Sequence, residues 1–368
     1  MHSVCKRTTI CVLIFATVCL VHSTTTAVAQ TRKSTTDKGS MPTLGNFSQQ
    51  MLPRGFFRLW CGMHDHYLME VDQQLYMFGT GTAPTELPIL GEPGAHCGHD
   101  EGSVFFIADG KVMHLDVRTG MKEAIATYPG PRAEIPWVVV SPDLRSIASS
   151  KPLHPVSGVR HFDMHDLSAT GGAVFRIVWK NDSSRLFVVN ASRGSEYKEA
   201  VQVFELRQDK LGRGIQVPLP GGFFYRGGVF TEDGRELLLQ LYPFGKEQDG
   251  PDTIFRCEIA RSRCNPIVSN VANASLSERG LIGTVTQIPR LRKYRVEFRE
   301  RVTRLLAKQD FDFSERPLLS VQVAPSGNKA VLDWATTQHA NCWSGSTKAG
   351  GYQLCAATEL LDLSGRVK

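Results

Sequence analysis

The chain has 368 residues, with 42 Lys and Arg against 36 Asp and Glu, and 42% of its residues are hydrophobic. This balance excludes a disordered tail, a collagen-like chain and a multi-spanning membrane protein, and the length suits one large repeat domain or two ordinary ones. A net charge of +6 gives no support for nucleic acid as a partner, and none is expected.

The first element in the chain is a targeting signal. Lys6 and Arg7 precede an apolar run from Ile10 to Val21, and Ala27-Val-Ala29 follows. A positive start, a short apolar centre and an Ala-x-Ala end are the parts of a secretory signal peptide. The run is shorter than the roughly 20 residues that a membrane helix needs. Residues 1–29 are therefore expected to be removed, leaving no transmembrane anchor and a chain that works in the periplasm or outside the cell. Residues 30–50, rich in Thr, Ser, Lys and Gln, read as a flexible lead-in. The folded domain is expected over 51–368.

Beyond the signal there are six cysteines, Cys61, Cys97, Cys257, Cys264, Cys342 and Cys355. An even number in an exported chain points to disulfides, although six cysteines allow 15 connectivities. One pair follows from local geometry. A hairpin centred on Ala260-Arg261 sets Cys257 opposite Cys264, and opposed residues of an antiparallel pair lie within disulfide reach. Cys342 and Cys355 close a similarly local loop, which leaves Cys61 with Cys97. Buried free thiols are the alternative.

Between these cysteines, short strand-like runs alternate with Gly, Asp, Asn, Ser and Pro clusters. Four segments share an apolar strand, a polar turn, a basic residue and a second apolar strand: 137–148, 177–188, 229–239 and 321–332. Each reads as a β-hairpin. The turn markers Asp143, Asp182, Asp233 and Ser326 are 39, 51 and 93 residues apart, so a poorly marked copy is expected near residue 280. Counting back from Asp143 by the same step reaches Asp100 and then the region of Cys61. A period of about 40–50 residues built from antiparallel strands signals a β-propeller with one four-stranded blade per repeat. The fold class is thus all-β, a single propeller of about seven blades, with six also open.

The turn Ser141-Pro-Asp-Leu-Arg145 and the strand end His114-Leu-Asp-Val-Arg-Thr-Gly120 resemble the WD40-like repeats of periplasmic TolB-type propellers. In that family the turn reads roughly Ser-Pro-Asp-Gly-Lys/Arg, and a later strand ends in Asp-x-x-Thr-Gly. Residues 230–240 match the turn well and 325–332 loosely. No Trp-Asp dipeptide ends a repeat, and the regions near 60 and 280 lack the turn. The resemblance implies fold and compartment, and carries no catalytic residue across.

Two groups of residues offer chemistry. His64, His66, His96 and His99 are candidate ligands for zinc, copper or iron(II), since alternate strand residues share a face and a Cys61–Cys97 bond would bring the two clusters together. The competing reading is polar residues at strand ends, with His99 and Asp100 capping a turn. Residues 290–308 carry eight Lys and Arg against Glu297 and Glu300. Among them Arg292, Lys293, Arg295, Arg299, Arg301 and Arg304 are candidates for binding an acidic protein or an anionic polymer of the cell envelope. The bland alternative is an exposed blade face with solvated charge. Tyr294, Val296 and Phe298 alternate like a half-buried strand, whereas Phe298, Val302 and Leu305 have helical spacing, so the element type stays open. Phosphate-cradling and nucleophile-elbow motifs do not occur, and Trp343-Ser-Gly-Ser-Thr347 reads as a polar loop. The expected role is a macromolecule-binding or scaffold propeller without catalysis or cofactor. The alternative is a propeller-face enzyme, a metal-dependent lactonase-like hydrolase or an oxidoreductase, using the histidine clusters.

Overall fold

A computed structural model describes residues 48–365, apart from 52–55, 62–64, 72–73, 80–83, 91–95, 99–101, 131–136, 157, 168–172, 192–197, 244–250, 313–317, 336–340 and 348–349. The signal peptide expected at 1–29 lies outside the described residues. Regular structure in the described part is strand, save one helical turn at Met164–Leu167 and one 3-10 turn at Pro289–Leu291.

The strands form seven small sheets in a ring, a seven-bladed β-propeller. Blade 1 runs Phe56–Cys61, His66–Val71, Gln74–Phe78 and Thr85–Leu90; blade 2 runs His96–Cys97, Ser103–Ala108, Lys111–Asp116 and Lys122–Thr127. Blades 4, 5 and 6 start at Ala173–Trp179, Phe223–Phe230 and Asn273–Leu276, each followed by antiparallel partners in chain order. The hairpin expected near residue 280 is that of blade 6. Blade 7 takes Leu318–Val323, Lys329–Ala335 and Gly350–Asp362, and its outer strand comes from the other end of the chain, Ser48–Met51. Ser48 faces Asp362 and Met51 faces Glu359, so the ring begins at Ser48 and the last three residues of the expected lead-in are strand.

Blade 3 departs from the four-stranded expectation. It has three described strands, Val138–Val140, Ser146–Ser149 and Arg160–Asp163, and the last two run parallel. The intervening chain detours to lay His154–Pro155 on the outer edge of blade 2, so it re-enters in the original direction. The segment expected to be a polar loop at 343–347 also differs. It belongs to the strand Asn341–Thr347, made by backbone pairing with Gly350–Ala356.

The core sits between blades. In the second strand of blade 4, Leu186 and Val188 pack toward blade 3 while Phe187 and Val189 pack toward blade 5. Side-chain alternation thus feeds two interfaces at once, which is why these strands read as unbroken apolar runs. The seven interfaces are unequal. Between blades 4 and 5 a broad cluster includes Phe187, Phe230, Leu239 and Phe255, whereas between blades 5 and 6 only Leu238, Ile254 and Ile282 are fully buried.

Each blade's first strand has one edge without a sheet partner, and an open edge leaves backbone groups to satisfy. Neighbouring blades supply them. Trp60 and Trp179 occupy equivalent places, and each donates its indole N–H to a carbonyl of the preceding blade's first strand, Gln322 and Val139, at 3.3 and 3.2 Å. Asn273 Oδ1 and Ser275 Oγ accept the N–H groups of Val321 and Val323, both at 2.9 Å.

The first turns of blades 3 to 7 are built to one plan. In blade 5, Thr231 N–H donates to Glu236 O, Gly234 N–H to Thr231 O, and Asp233 accepts from the Thr231 hydroxyl and Arg235 N–H. Blade 3 repeats this with Ser141, Leu144 and Asp143, and blade 6 in a form one residue shorter with Ser277 and Gly280. The fourth residue of each turn is left-handed, at φ 63° in Leu144, 61° in Ser183, 66° in Gly234 and 81° in Gly280. Left-handed backbone costs a non-glycine residue about 1–2 kcal/mol. A Cβ added at Gly234 would also lie 3.1 Å from Lys180 Cε. Gly234→Ala is therefore expected to lower unfolding free energy by about 1–2 kcal/mol, read as a fall in the urea midpoint at constant slope.

Two disulfides are present, Cys61–Cys97 joining the first strands of blades 1 and 2, and Cys257–Cys264 directly across a hairpin of blade 5. Cys342 faces Cys355 in the register of blade 7, and their side chains lie outside the described residues. The bonds close loops of 36 and 7 residues' separation. In the chain-entropy account these contribute about 4 and about 2.5 kcal/mol. Replacing Cys61 and Cys97 by Ser should depress the melting temperature more than replacing Cys257 and Cys264, and the reverse ranking would exclude loop closure as the main effect.

Candidate functional site

The basic segment resolves into strand. Lys293–Glu300 is the third strand of blade 6, with Val296 and Phe298 buried, and Arg304–Asp312 is the fourth. Much of its charge is neutralised within the sheet. Arg295 grips Asp310 through two hydrogen bonds of 2.7 and 3.0 Å, Arg299 meets Glu297 at 2.7 Å, and Arg304 meets Glu300 at 3.0 Å. Lys293 lies 3.7 Å from Asp312. The Arg295–Asp310 contact holds the aspartate below, and the arginine above, its ordinary pKa. Exposed pairs of this kind contribute little stability, yet they cancel the field that the linear segment promises.

Of the remaining cations, Lys308 lies mid-strand opposite Glu297, and the other three divide between two faces. Arg290 and Arg292 lie at the start of the third strand of blade 6, and Arg301 lies in the turn at its end, roughly 25 Å away at about 3.4 Å per residue. An antiparallel blade puts its first and third turns on one face, so Arg301 joins the turn Ser277–Gly280. Arg301 N–H donates to Gly280 O at 2.9 Å and locks the two turns together. Arg301 and Val302 are left-handed at φ 46° and 72°, an uncommon state for any side-chain-bearing residue and an outlier for a β-branched one.

On that face, between blades 5 and 6, opens a cleft of about 580 Å³. Leu238 and Val302 are its apolar members, and Arg256, Arg279 and Arg301 share its lining with four carboxylates, Glu232, Asp233, Glu236 and Glu278. Arg256 is committed to Glu236 at 2.7 Å. Arg279 and Arg301 are exposed and meet no carboxylate among the described residues. The cleft opens where the inter-blade core is smallest.

Glu278 crosses the ring: its Oε1 accepts Asn181 N–H of blade 4 at 2.8 Å. Burial pushes its carboxyl up to about 7, outweighing that hydrogen bond and the attraction of Lys180, while Asp182 and Glu232 add to the rise. Two other acids of this face serve their own turns. Asp182 and Asp233 accept local hydrogen bonds and lie below the usual carboxylate range. Neither Glu278 nor Arg279 stands out in the sequence. The available signal was Ser277 and Gly280, which fill the same hydroxyl and left-handed places as in the better-marked turns.

Of the histidine candidates, His64 and His99 lie outside the described residues, as does the side chain of His96. His66 begins the second strand of blade 1, facing Cys61. No group of three His, Cys, Asp or Glu side chains gathers at ligand distance among the described residues. His161 hydrogen-bonds Ser149 Oγ at 2.6 Å inside blade 3, where burial lowers its pKa.

No family model matches the sequence, and no curated protein matches it. Solved structures do match its fold. A dipeptidyl peptidase 4 from Porphyromonas gingivalis aligns over 82% of this chain and 51% of its own at 10% identity and TM-score 0.50, so the chain spans about half of that protein. Hydrazine synthase of Kuenenia stuttgartiensis aligns over 76% and 92% at 10% identity and TM-score 0.48, and TolB from Acinetobacter baumannii over 67% and 62% at 13% and 0.42. The class of the chain, a β-propeller, is set by its own seven sheets, and at these identities the likeness shows fold alone.

Glu278 makes a pH dependence testable. A carboxyl whose folded pKa is raised keeps its proton in the native state after the unfolded chain has released it. Its contribution is present below about pH 4.5 and is lost as pH rises to about 7. Glu278→Gln should therefore flatten the stability profile over this window and stabilise the protein by about 2 kcal/mol above pH 7.5. An unchanged profile would place the proton elsewhere.

Proposed function

We propose that this chain is an exported binding propeller that holds an acidic protein partner against the face of the first and third turns. The observation that carries the reading is the placement of Arg279 and Arg301. They are two exposed guanidinium groups that form no ion pair among the described residues, carried on turns interlocked through Arg301 N–H and Gly280 O. The arginine fork suits carboxylates, and cations left unneutralised by their own chain give a face a preference for negative charge. The same turns are tied to one another around the ring. Ser183 Oγ accepts Asp143 N–H, Glu278 accepts Asn181 N–H, and Ser326 bonds Asp65. Loops placed by such a scaffold are where recognition usually resides. Export rests on the signal-like N-terminus, with the two disulfides consistent with an oxidising compartment.

The test is retention of acidic envelope proteins on the immobilised full chain. Retention should fall on raising salt to 0.5 M, since rim charges are screened. It should also fall in a variant carrying Arg279→Glu and Arg301→Glu, and persist in one carrying Arg290→Glu and Arg292→Glu on the opposite face. Retention that follows the second pair would move the partner to the other face, and retention indifferent to both would end the reading.

A further inference from the structure

We propose that the hairpin of Asn341–Thr347 and Gly350–Ala356 is a dimerisation arm, whose outer strand Asn341–Thr347 pairs antiparallel with the same strand of a second copy of this chain. The arm lies on the face opposite Arg279 and Arg301, and the proposal stands apart from the reading above.

Register creates the arm. Gly350–Asp362 is one strand of 13 residues, and only Ala356–Asp362 pairs with Lys329–Ala335. The stretch Gly350–Cys355 therefore runs about 20 Å past the end of the blade, at about 3.4 Å per residue, with Asn341–Thr347 as its sheet partner. Ala356 faces Ala335 on one side and Asn341 on the other, so Asn341–Thr347 lies along the outer edge, in line with Ser48–Met51. Its own far edge has no sheet partner among the described residues. A third strand starts on the face away from the first turn, so the overhang rises from the face of Arg290 and Arg292.

That far edge lacks the protection found elsewhere in the ring. Proline stands in the outermost strands of blades 1, 4 and 5, as Pro88, Pro218 and Pro266. The outermost strand of blade 3 has a charge at each end, and that of blade 6 holds four. The edge of blade 2 is covered by His154–Pro155, and Ser48–Met51 is four residues long. Proline, charge, cover and shortness are the ordinary defences of a sheet edge against strand addition. Asn341–Thr347 has seven residues and neither charge nor proline. An edge of this kind is closed when it pairs with its own copy about a twofold axis.

The sequence of the strand suits that axis. With Ser344 on it, Trp343 of each copy falls opposite Gly345 of the other, the bulkiest residue of the strand against the smallest. Alternation puts Trp343 on one face with Leu354 and Tyr352 of the neighbouring strand. A two-stranded hairpin alone is marginal in water, and three or more strands with an apolar face are needed for stability. Two arms supply four strands, with these three residues of each copy on one face. Antiparallel pairing also sets the two rings at opposite ends of the shared sheet, where they do not compete for space.

The experiment is sedimentation equilibrium on the chain without residues 1–29, its disulfides intact. Wild type should reach twice the chain mass at about 100 µM and dissociate on dilution, as a small interface does. Ser344→Lys sets like charges directly opposite each other across the axis and should raise the dimer dissociation constant about fivefold, with the melting temperature of the ring unchanged. Ser344→Glu should do the same, and an equimolar mixture of the two variants should dimerise more tightly than either alone, since each mixed pair sets Lys against Glu. A variant with Gly-Gly in place of residues 342–355 should be monomeric. Wild type that stays monomeric would overturn the proposal, as would a dimer that survives removal of the arm. A dimer lost with the arm yet indifferent to both Ser344 variants, or a mixture no tighter than its components, would overturn the pairing of this edge.

Discussion

A blade whose second strand is apolar on both sides cannot be covered by a single neighbour. Leu186 and Val188 need blade 3 as much as Phe187 and Val189 need blade 5, and the same holds at each step around the ring. Burying a side chain of this size contributes about 1.5–3 kcal/mol, so leaving one face of a blade bare would cost more than most domains have to spare. The ring is the way to leave no face over. Its closure by Ser48–Met51 against Gly350–Asp362 is the condition on which every other interface depends.

The first strands face the channel with an open edge, and they are tied sideways by side chains rather than by sheet ladders. Equivalent tryptophans in blades 1 and 4 reach equivalent carbonyls, which shows the repeat surviving in geometry where the letters have diverged. Rigidity on the turn face follows from these ties. Against that frame the interface of blades 5 and 6 stands apart, with a small core, a cleft, two turns locked by Arg301 and Gly280, and a carboxyl held near neutrality.

The sequence made the turns legible because their chemistry is local. A hydroxyl, an aspartate and a left-handed residue within five positions suffice to mark them, and even the unmarked copy near 280 retained Ser277 and Gly280. Blade number and the Cys257–Cys264 pair followed from the same short-range logic. The local pairing of the basic segment was not legible, for a reason equally physical. Asp310 and Asp312, which neutralise Arg295 and Lys293, sit beyond the stretch of cations and arrive only through antiparallel register. Register also locks the two turns, since the pairing of Leu281 with Glu300 is what brings Gly280 to Arg301. The parallel strand of blade 3 depends on a detour to blade 2 that no periodicity announces.

The outer strand of the last blade sets an order of events. Ser48 is made before any other strand residue of the ring, and its partner Asp362 follows 314 positions later. Closing so long a loop costs on the order of 5 kcal/mol in chain entropy before the strand contacts return anything. Until then blades 1 to 6 stand as an open arc with two uncovered flanks, one of them bearing Tyr67, Met69 and Phe78, which await Val331. The open arc exposes these flanks until the last blade forms, and the four residues Ser48–Met51 act as the latch that turns the arc into a closed ring.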